Sequence, residues 1–205
     1  MSFVGGVGYS NIDLIYSGLD RLPDKGEEIF ARGFSMQFGG GIPATMINLS
    51  RLGVESRIIT FAGHDLFSEF VKKTLNSYPV KTVNLYKGNK MPVVLSSTLL
   101  YCGDRSFISY TDGMDLNDAV MDEVYENLKG AYVVDMHVGF LDVYKRLKKD
   151  GCIQIFDTGW EDDLTLEKYK DYLEIADYYI PNQKEAMKIT GTSSVCLLYT
   201  SDAAD

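Results

Sequence analysis

Short, mostly apolar runs alternating with segments of helical period constrain this chain more than any other feature. The runs are Phe3–Val7, Arg57–Ala62, Ala131–Met136, Cys152–Phe156 and Tyr178–Ile180. A strand that is apolar along most of its length, without strict alternation, is buried on both faces, the condition found inside a parallel sheet covered by helices. Between the runs lie Met46, Ile47 and Leu49 after Pro43; Leu66, Phe67, Phe70, Val71 and Leu75 after Asp65; Val120, Val124 and Leu128 before Gly130; and Leu141, Tyr144 and Leu147 before Gly151. Asp65 suits an N-cap, Pro43 a first helical turn, and Gly130 and Gly151 helix ends. The alternation predicts an α/β fold with a mostly parallel sheet flanked by helices.

Two segments break the rhythm. Residues 11–38 and 86–110 are rich in β-formers and turn residues and have no helical period. They predict strands outside the main sheet, with turns at Pro23-Asp24-Lys25-Gly26 and Cys102-Gly103-Asp104-Arg105. Such excursions from strand ends would form a small β-rich lid where α/β proteins bind ligands.

Charge and cysteine usage narrow the function classes. Lys plus Arg number 20 against 29 Asp plus Glu, a formal charge of −9, which opposes nucleic-acid binding. The densest basic run, Lys145-Arg146-Leu147-Lys148-Lys149, falls at a predicted helix C-terminus, where cations suit the dipole. There is no stretch of membrane-spanning length and no signal-like start, so the chain reads as cytoplasmic, with no membrane partner. Cys102, Cys152 and Cys196 lie far apart and read as free thiols. Only His64 and His137 are present, which excludes a His-rich metal site.

A few residues could carry chemistry. Gly39-Gly40-Gly41-Ile42-Pro43 precedes a helical stretch, where glycines let an oxygen-rich ligand approach backbone N–H groups; the alternative is a tight turn needing positive φ. Asn11 and Asp13, two apart in a strand, share a face and together could donate to and accept from vicinal hydroxyls; the alternative is an Asx-turn. Pro181-Asn182-Gln183-Lys184-Glu185 has the spacing of a capping box, and its carboxylate could also orient waters on a magnesium ion. Gly6-Val7-Gly8 invites a dinucleotide-binding reading, but Asn11 to Tyr16 has β character where that motif needs a helix.

In this order the features resemble the PfkB family of carbohydrate kinases, which has the ribokinase-like fold. The resemblance runs from Phe3 to about Thr192. It rests on Gly8-Tyr9-Ser10-Asn11-Ile12-Asp13, Leu22-Pro23-Asp24-Lys25-Gly26-Glu27, Gly39-Gly40-Gly41 closing on Ser50-Arg51-Leu52-Gly53, Ala62-Gly63-His64-Asp65-Leu66-Phe67, Gly103-Asp104-Arg105-Ser106-Phe107, and Pro181 to Glu185 with Thr190-Gly191. It implies transfer of the γ-phosphoryl group of ATP to a sugar hydroxyl. Asn11 and Asp13 would then hold sugar hydroxyls, Gly40 and Gly41 would line the pocket, Phe107 would close over it, and Asn182 with Glu185 would serve magnesium and phosphate, Glu185 through water. It also implies a homodimer through the lid strands, and leaves open which sugar or nucleoside is used.

Several positions depart from the family pattern. Ala44, followed by Thr45, stands where asparagine is usual, Ser68 where glycine is usual, and Asp157-Thr158-Gly159-Trp160 where an Asp/Asn/Arg cluster is frequent. The family's signature close to D-T-x-G-A-G-D, which carries the catalytic base, is not matched by Asp202-Ala203-Ala204-Asp205. The expectation is therefore that residues 1–192 are the N-terminal part of a kinase domain with the C-terminal third missing. Residues 193–205 would be a non-native tail, and the chain alone would be inactive. The competing readings are a non-catalytic sugar-binding or dimerising module and a dinucleotide-dependent oxidoreductase.

Overall fold

The computed structural model describes residues 2–159 and 161–194. The anticipated non-native tail therefore falls mainly outside the described residues, as does Cys196. The chain is organised as two compact units, one formed by residues 2–6 with 118–194 and the other by residues 7–117.

In the first unit, four parallel strands lie in the order β10 (Tyr178–Tyr179), β9 (Ile153–Phe156), β8 (Ala131–Met136) and β1 (Phe3–Val7). Each matches an apolar run in the sequence. The helices are α3 (Asp118–Leu128), α4 (Leu141–Lys149), α5 (Leu166–Ile175) and α6 (Gln183–Thr190), and α4 packs against α3, α5 and β9. Val143, Tyr144 and Leu147 on one face of α4 are fully buried; Tyr144 and Leu147 are expected from the spacing, whereas Leu141 is only part-buried at the first helical residue and Val143 fills the core in its place. Its end is a Schellman motif: the Gly151 N–H donates to Lys148 O and the Cys152 N–H to Leu147 O, with Gly151 at φ 83°. Burial pushes the Cys152 thiol up to about 11, so it is an inert core thiol at neutral pH.

In the second unit, β4 (Ser56–Thr60) pairs in parallel with β5 (Lys81–Asn84). Helix α1 (Gly41–Arg51) packs on β4, and α2 (Leu66–Asn76) follows β4 in the chain. Asp65 is the N-cap of α2, its carboxylate accepting the N–H groups of Phe67 and Ser68. Leu66, counted among the apolar helix positions, is instead exposed at the first helical residue.

The two β-rich segments build a separate four-stranded sheet in the order β3 (Gly33–Gly39), β2 (Asn11–Leu19), β6 (Val94–Tyr101) and β7 (Asp104–Tyr110). Strand β2 runs antiparallel to β3 and parallel to β6, while β6 and β7 form an antiparallel hairpin. The hairpin turns at Cys102 and Gly103, both at positive φ (49° and 78°), as a two-residue turn matching strand twist requires. In the β2–β3 connection the Glu27 N–H donates to Asp24 O, closing a turn over Asp24–Glu27, one residue beyond the turn expected at Pro23 to Gly26. Because residues 11–19 form a strand, no helix follows Gly6-Val7-Gly8, and the dinucleotide-binding reading loses its structural basis.

Candidate functional site

The second unit assembles its polar site on one face of the small sheet. Register pairs Asp13 with Ser96 of β6 and with Gln37 of β3, Asn11 with Gly39, Ser96 with Ser109, and Thr98 with Phe107. Side chains opposite one another across a sheet share a face, so Asn11, Asp13, Ser96, Ser109 and Phe107 all project to the same side. Asn11 Nδ2 donates to Asp13 Oδ1 at 2.8 Å, Ser96 Oγ donates to Asn11 Oδ1 at 3.2 Å, and the Ser96 and Ser109 hydroxyls are 2.8 Å apart. The Asx-turn alternative is thereby corrected: these two side chains bond each other and a neighbouring strand.

Burial raises the Asp13 carboxyl above the ordinary carboxylate range, opposed by the Asn11 hydrogen bond and by the charge of Arg105. Arg105 also lies over the Phe107 ring, 5.5 Å from its centroid. Phe107 itself is about half exposed.

The glycine motif beside this face divides its labour. A Cβ on Gly39 would lie 2.7 Å from Asp13 Oδ2, so the absence of a side chain there is what lets the carboxylate sit against β3. Gly40 is the N-cap of α1 at φ 102°, and a Cβ on it would meet the Tyr9 carbonyl at 2.8 Å. The tight-turn explanation holds for Gly40. Around Gly41, by contrast, a Cβ would meet nothing within 4 Å. Helix α1 has no side-chain cap and no acidic residue in its first turn, so its positive end is not neutralised by a carboxylate of its own first turn. Ala44 and Thr45 are exposed on the following turn, and Thr45 Oγ1 donates to Gly41 O.

Ser68, the departure from the family's usual glycine, has a clear structural use. Its buried hydroxyl accepts the Gly63 N–H at 2.8 Å and donates to Asp65 Oδ2 at 2.6 Å, which ties the Gly63-His64-Asp65 loop to α2.

Asn182 and Glu185 belong to the other unit, where the capping box is complete. Asn182 Oδ1 accepts the N–H groups of Lys184 and Glu185, and Glu185 Oε2 accepts the Asn182 N–H at 3.0 Å. Glu185 is only 4% exposed. Asp157 is exposed at the end of β9, with one oxygen accepting the Gly159 N–H. Among the described residues no group of three or more His, Cys, Asp or Glu side chains is placed to hold a metal ion, and no helix is long and apolar enough to cross a membrane.

Ser96 and Ser109 carry no signal of their own in the sequence, and Gly39 stands out there only as part of the glycine run. What finds them is strand register between residues 11–13, 39, 96 and 109, which periodicity alone does not carry.

These features coincide with a known family. The model of the pfkB family of carbohydrate kinases matches residues 1–204. The chain belongs to that family. Its architecture is ribokinase-like: it superposes on a ribokinase from Giardia lamblia with a TM-score of 0.81 at 19% identity, covering 98% of this chain and 63% of that one. On the Arabidopsis thaliana ribokinase complexed with ribose and ATP, the TM-score is 0.76 at 22% identity, covering 99% and 68%. An uncharacterized sugar kinase of Pyrococcus horikoshii is 35% identical over 92 residues, which are 42% of this chain and 30% of the relative. The chain thus matches less than a third of the length of that curated relative and just under two thirds of the Giardia enzyme.

Proposed function

We propose that the whole protein transfers the γ-phosphoryl group of ATP to a hydroxyl of a sugar, and that the small sheet with the start of α1 contributes the sugar-binding part. The observation that carries this reading is the Asn11–Asp13 pair, held side by side against Gly39 and followed in the chain by the open Gly41 turn. A carboxylate next to an amide offers acceptor and donor together, which suits adjacent hydroxyls. Asp13 Oδ2 and the second Nδ2 proton of Asn11 would bind the sugar, Gly40 and Gly41 would line the pocket, and Phe107 would cover an apolar face of the ring. Asn11, Asp13 and Gly41 would orient the acceptor hydroxyl; no residue among these is assigned the role of base.

Asn182 and Glu185 fit the magnesium and phosphate region in one respect. The capping box uses Asn182 Oδ1 and Glu185 Oε2, leaving Glu185 Oε1, a hard carboxylate oxygen of the kind that orients magnesium-bound water. Magnesium bound with ATP would supply neutralisation of charge on the phosphates. Glu185→Gln keeps the capping geometry, so its stability should change by less than about 1 kcal/mol, whereas the magnesium concentration needed for half-maximal turnover should rise. A magnesium dependence and rate equal to the parent's would leave Glu185 a capping residue only.

The opposite face of the small sheet supports a homodimer through the lid strands. Phe34 (62% exposed), Met36, Ile108 (71% exposed) and Tyr110 lie on it. Sedimentation velocity should show a dimer that Ile108→Glu converts to monomer; a monomer at all concentrations in the parent would contradict this.

The kinase reading is tested by following ADP formation by the whole protein with magnesium-ATP across ribose-like, fructose-like, sugar-acid and nucleoside acceptors. One acceptor class should stimulate it strongly. Sugar binding without turnover would favour the binding-module alternative.

A further inference from the structure

Four side chains on three strands form one hydrogen-bonded line, Ser109–Ser96–Asn11–Asp13. Its donor direction follows from chemistry. An ionised carboxylate only accepts, so Asn11 must turn Nδ2 toward Asp13 and its carbonyl oxygen toward Ser96. That oxygen also only accepts, so Ser96 must spend its single proton on it. The Ser96 oxygen is then free to accept, and Ser109 is the donor. The line therefore runs one way, from the exposed strand β7 through the buried Ser96 (4% exposed) to the anion.

We propose that Ser96 is a positioning residue, fixing the Asn11 amide so that Asn11 and Asp13 present one N–H and one carboxylate oxygen to the same pair of substrate hydroxyls, with Ser109 as the donor behind it. This deepens the sugar-binding reading and rests on it. Without Ser96 the amide oxygen loses its donor and the Asp13 bond alone holds the Asn11 side chain, so the amide plane can tilt and the second Nδ2 proton no longer has a defined direction toward the substrate. Polarisation along such a line strengthens each bond in it. Charge around Asp13 is sparse: β3 and β6 carry no charged residue, β2 carries only Asp13, and β7 carries Asp104 and Arg105, of which Arg105 acts on Asp13.

The test reads Asp13 directly. The carboxyl carbon of Asp13 is titrated by NMR in the parent chain, Ser96→Ala, Ser96→Thr and Ser109→Ala, and affinity for the sugars that bind the parent is measured by calorimetry. Ser96→Ala should move the Asp13 midpoint upward, because the anion loses an oriented donor. It should also weaken sugar binding by about tenfold, the scale of one oriented hydrogen bond. Ser96→Thr, which keeps the hydroxyl in a strand-compatible side chain, should restore both. Ser109→Ala, at an exposed position that folding tolerates, should shift the midpoint the same way by less. An Asp13 midpoint unchanged in both alanine variants overturns the relay. The midpoint is read without any sugar, so a parent that binds no sugar would overturn the sugar reading separately, and the titration would still decide the relay.

Discussion

Asp13→Ala should lower sugar affinity more than any other single change. The substitution removes the carboxylate oxygen that faces away from Asn11 and also leaves the Asn11 amide without its acceptor. A charge-assisted hydrogen bond is worth roughly 1.5–3 kcal/mol, which is about 10- to 150-fold in affinity for each bond lost. Folding should be little affected, since burial already works against the ionised carboxyl and removing it relieves that cost. Calorimetric titration with the preferred sugar checks the affinity and thermal melting checks the fold. Unchanged affinity would place the sugar elsewhere.

Two neighbouring glycine substitutions should separate the turn from the pocket. Gly40→Ala forces a side chain into φ 102° and against the Tyr9 carbonyl at 2.8 Å. Left-handed or more extreme backbone at a non-glycine costs about 1–3 kcal/mol, and the clash with a backbone atom adds to it, so chemical denaturation should show a large loss of stability. Gly41→Ala meets no atom within 4 Å and lies at the first residue of α1. It should keep or slightly raise stability, as alanine replaces glycine in a helix, while weakening sugar binding if Gly41 lines the pocket as proposed. Equal stability losses in both variants, with sugar binding intact, would make the whole motif a turn and nothing more.

Much of the fold is legible because buried parallel strands leave short, mostly apolar runs. β1, β8 and β9 match their runs closely, and Asp65, Pro43 and Gly151 sit where capping rules place them. Strand β5, Lys81-Thr82-Val83-Asn84, escapes because it is short and both of its ends are exposed, so no apolar run or alternation marks it. Helix α5 escapes for a different reason. Tyr169 is its only fully buried side chain, and Tyr169 and Tyr172 pack against the Phe156 ring amid charged neighbours, so aromatic contacts replace the aliphatic stripe that periodicity detects.

The candidate site is half legible. Asn11 and Asp13 stand out because their spacing alone places them on one strand face. Ser96 and Ser109 are ordinary serines until register joins them to residues 85 and 13 positions away. Gly39 looks like one glycine among three until its pairing with Asn11 brings the Asp13 carboxylate against it. The capping box at Asn182 is readable in full because capping is local in sequence.

The proposed phosphorylation of a sugar held by Asp13 is tested most directly by phosphorus NMR of the whole protein with magnesium-ATP and the acceptor panel, run in parallel on Asp13→Ala. A new sugar-phosphate resonance should grow with ADP, require the acceptor, and be lost in the variant. ADP formed without any phosphorylated acceptor, or a sugar phosphate formed equally well by Asp13→Ala, would contradict that role.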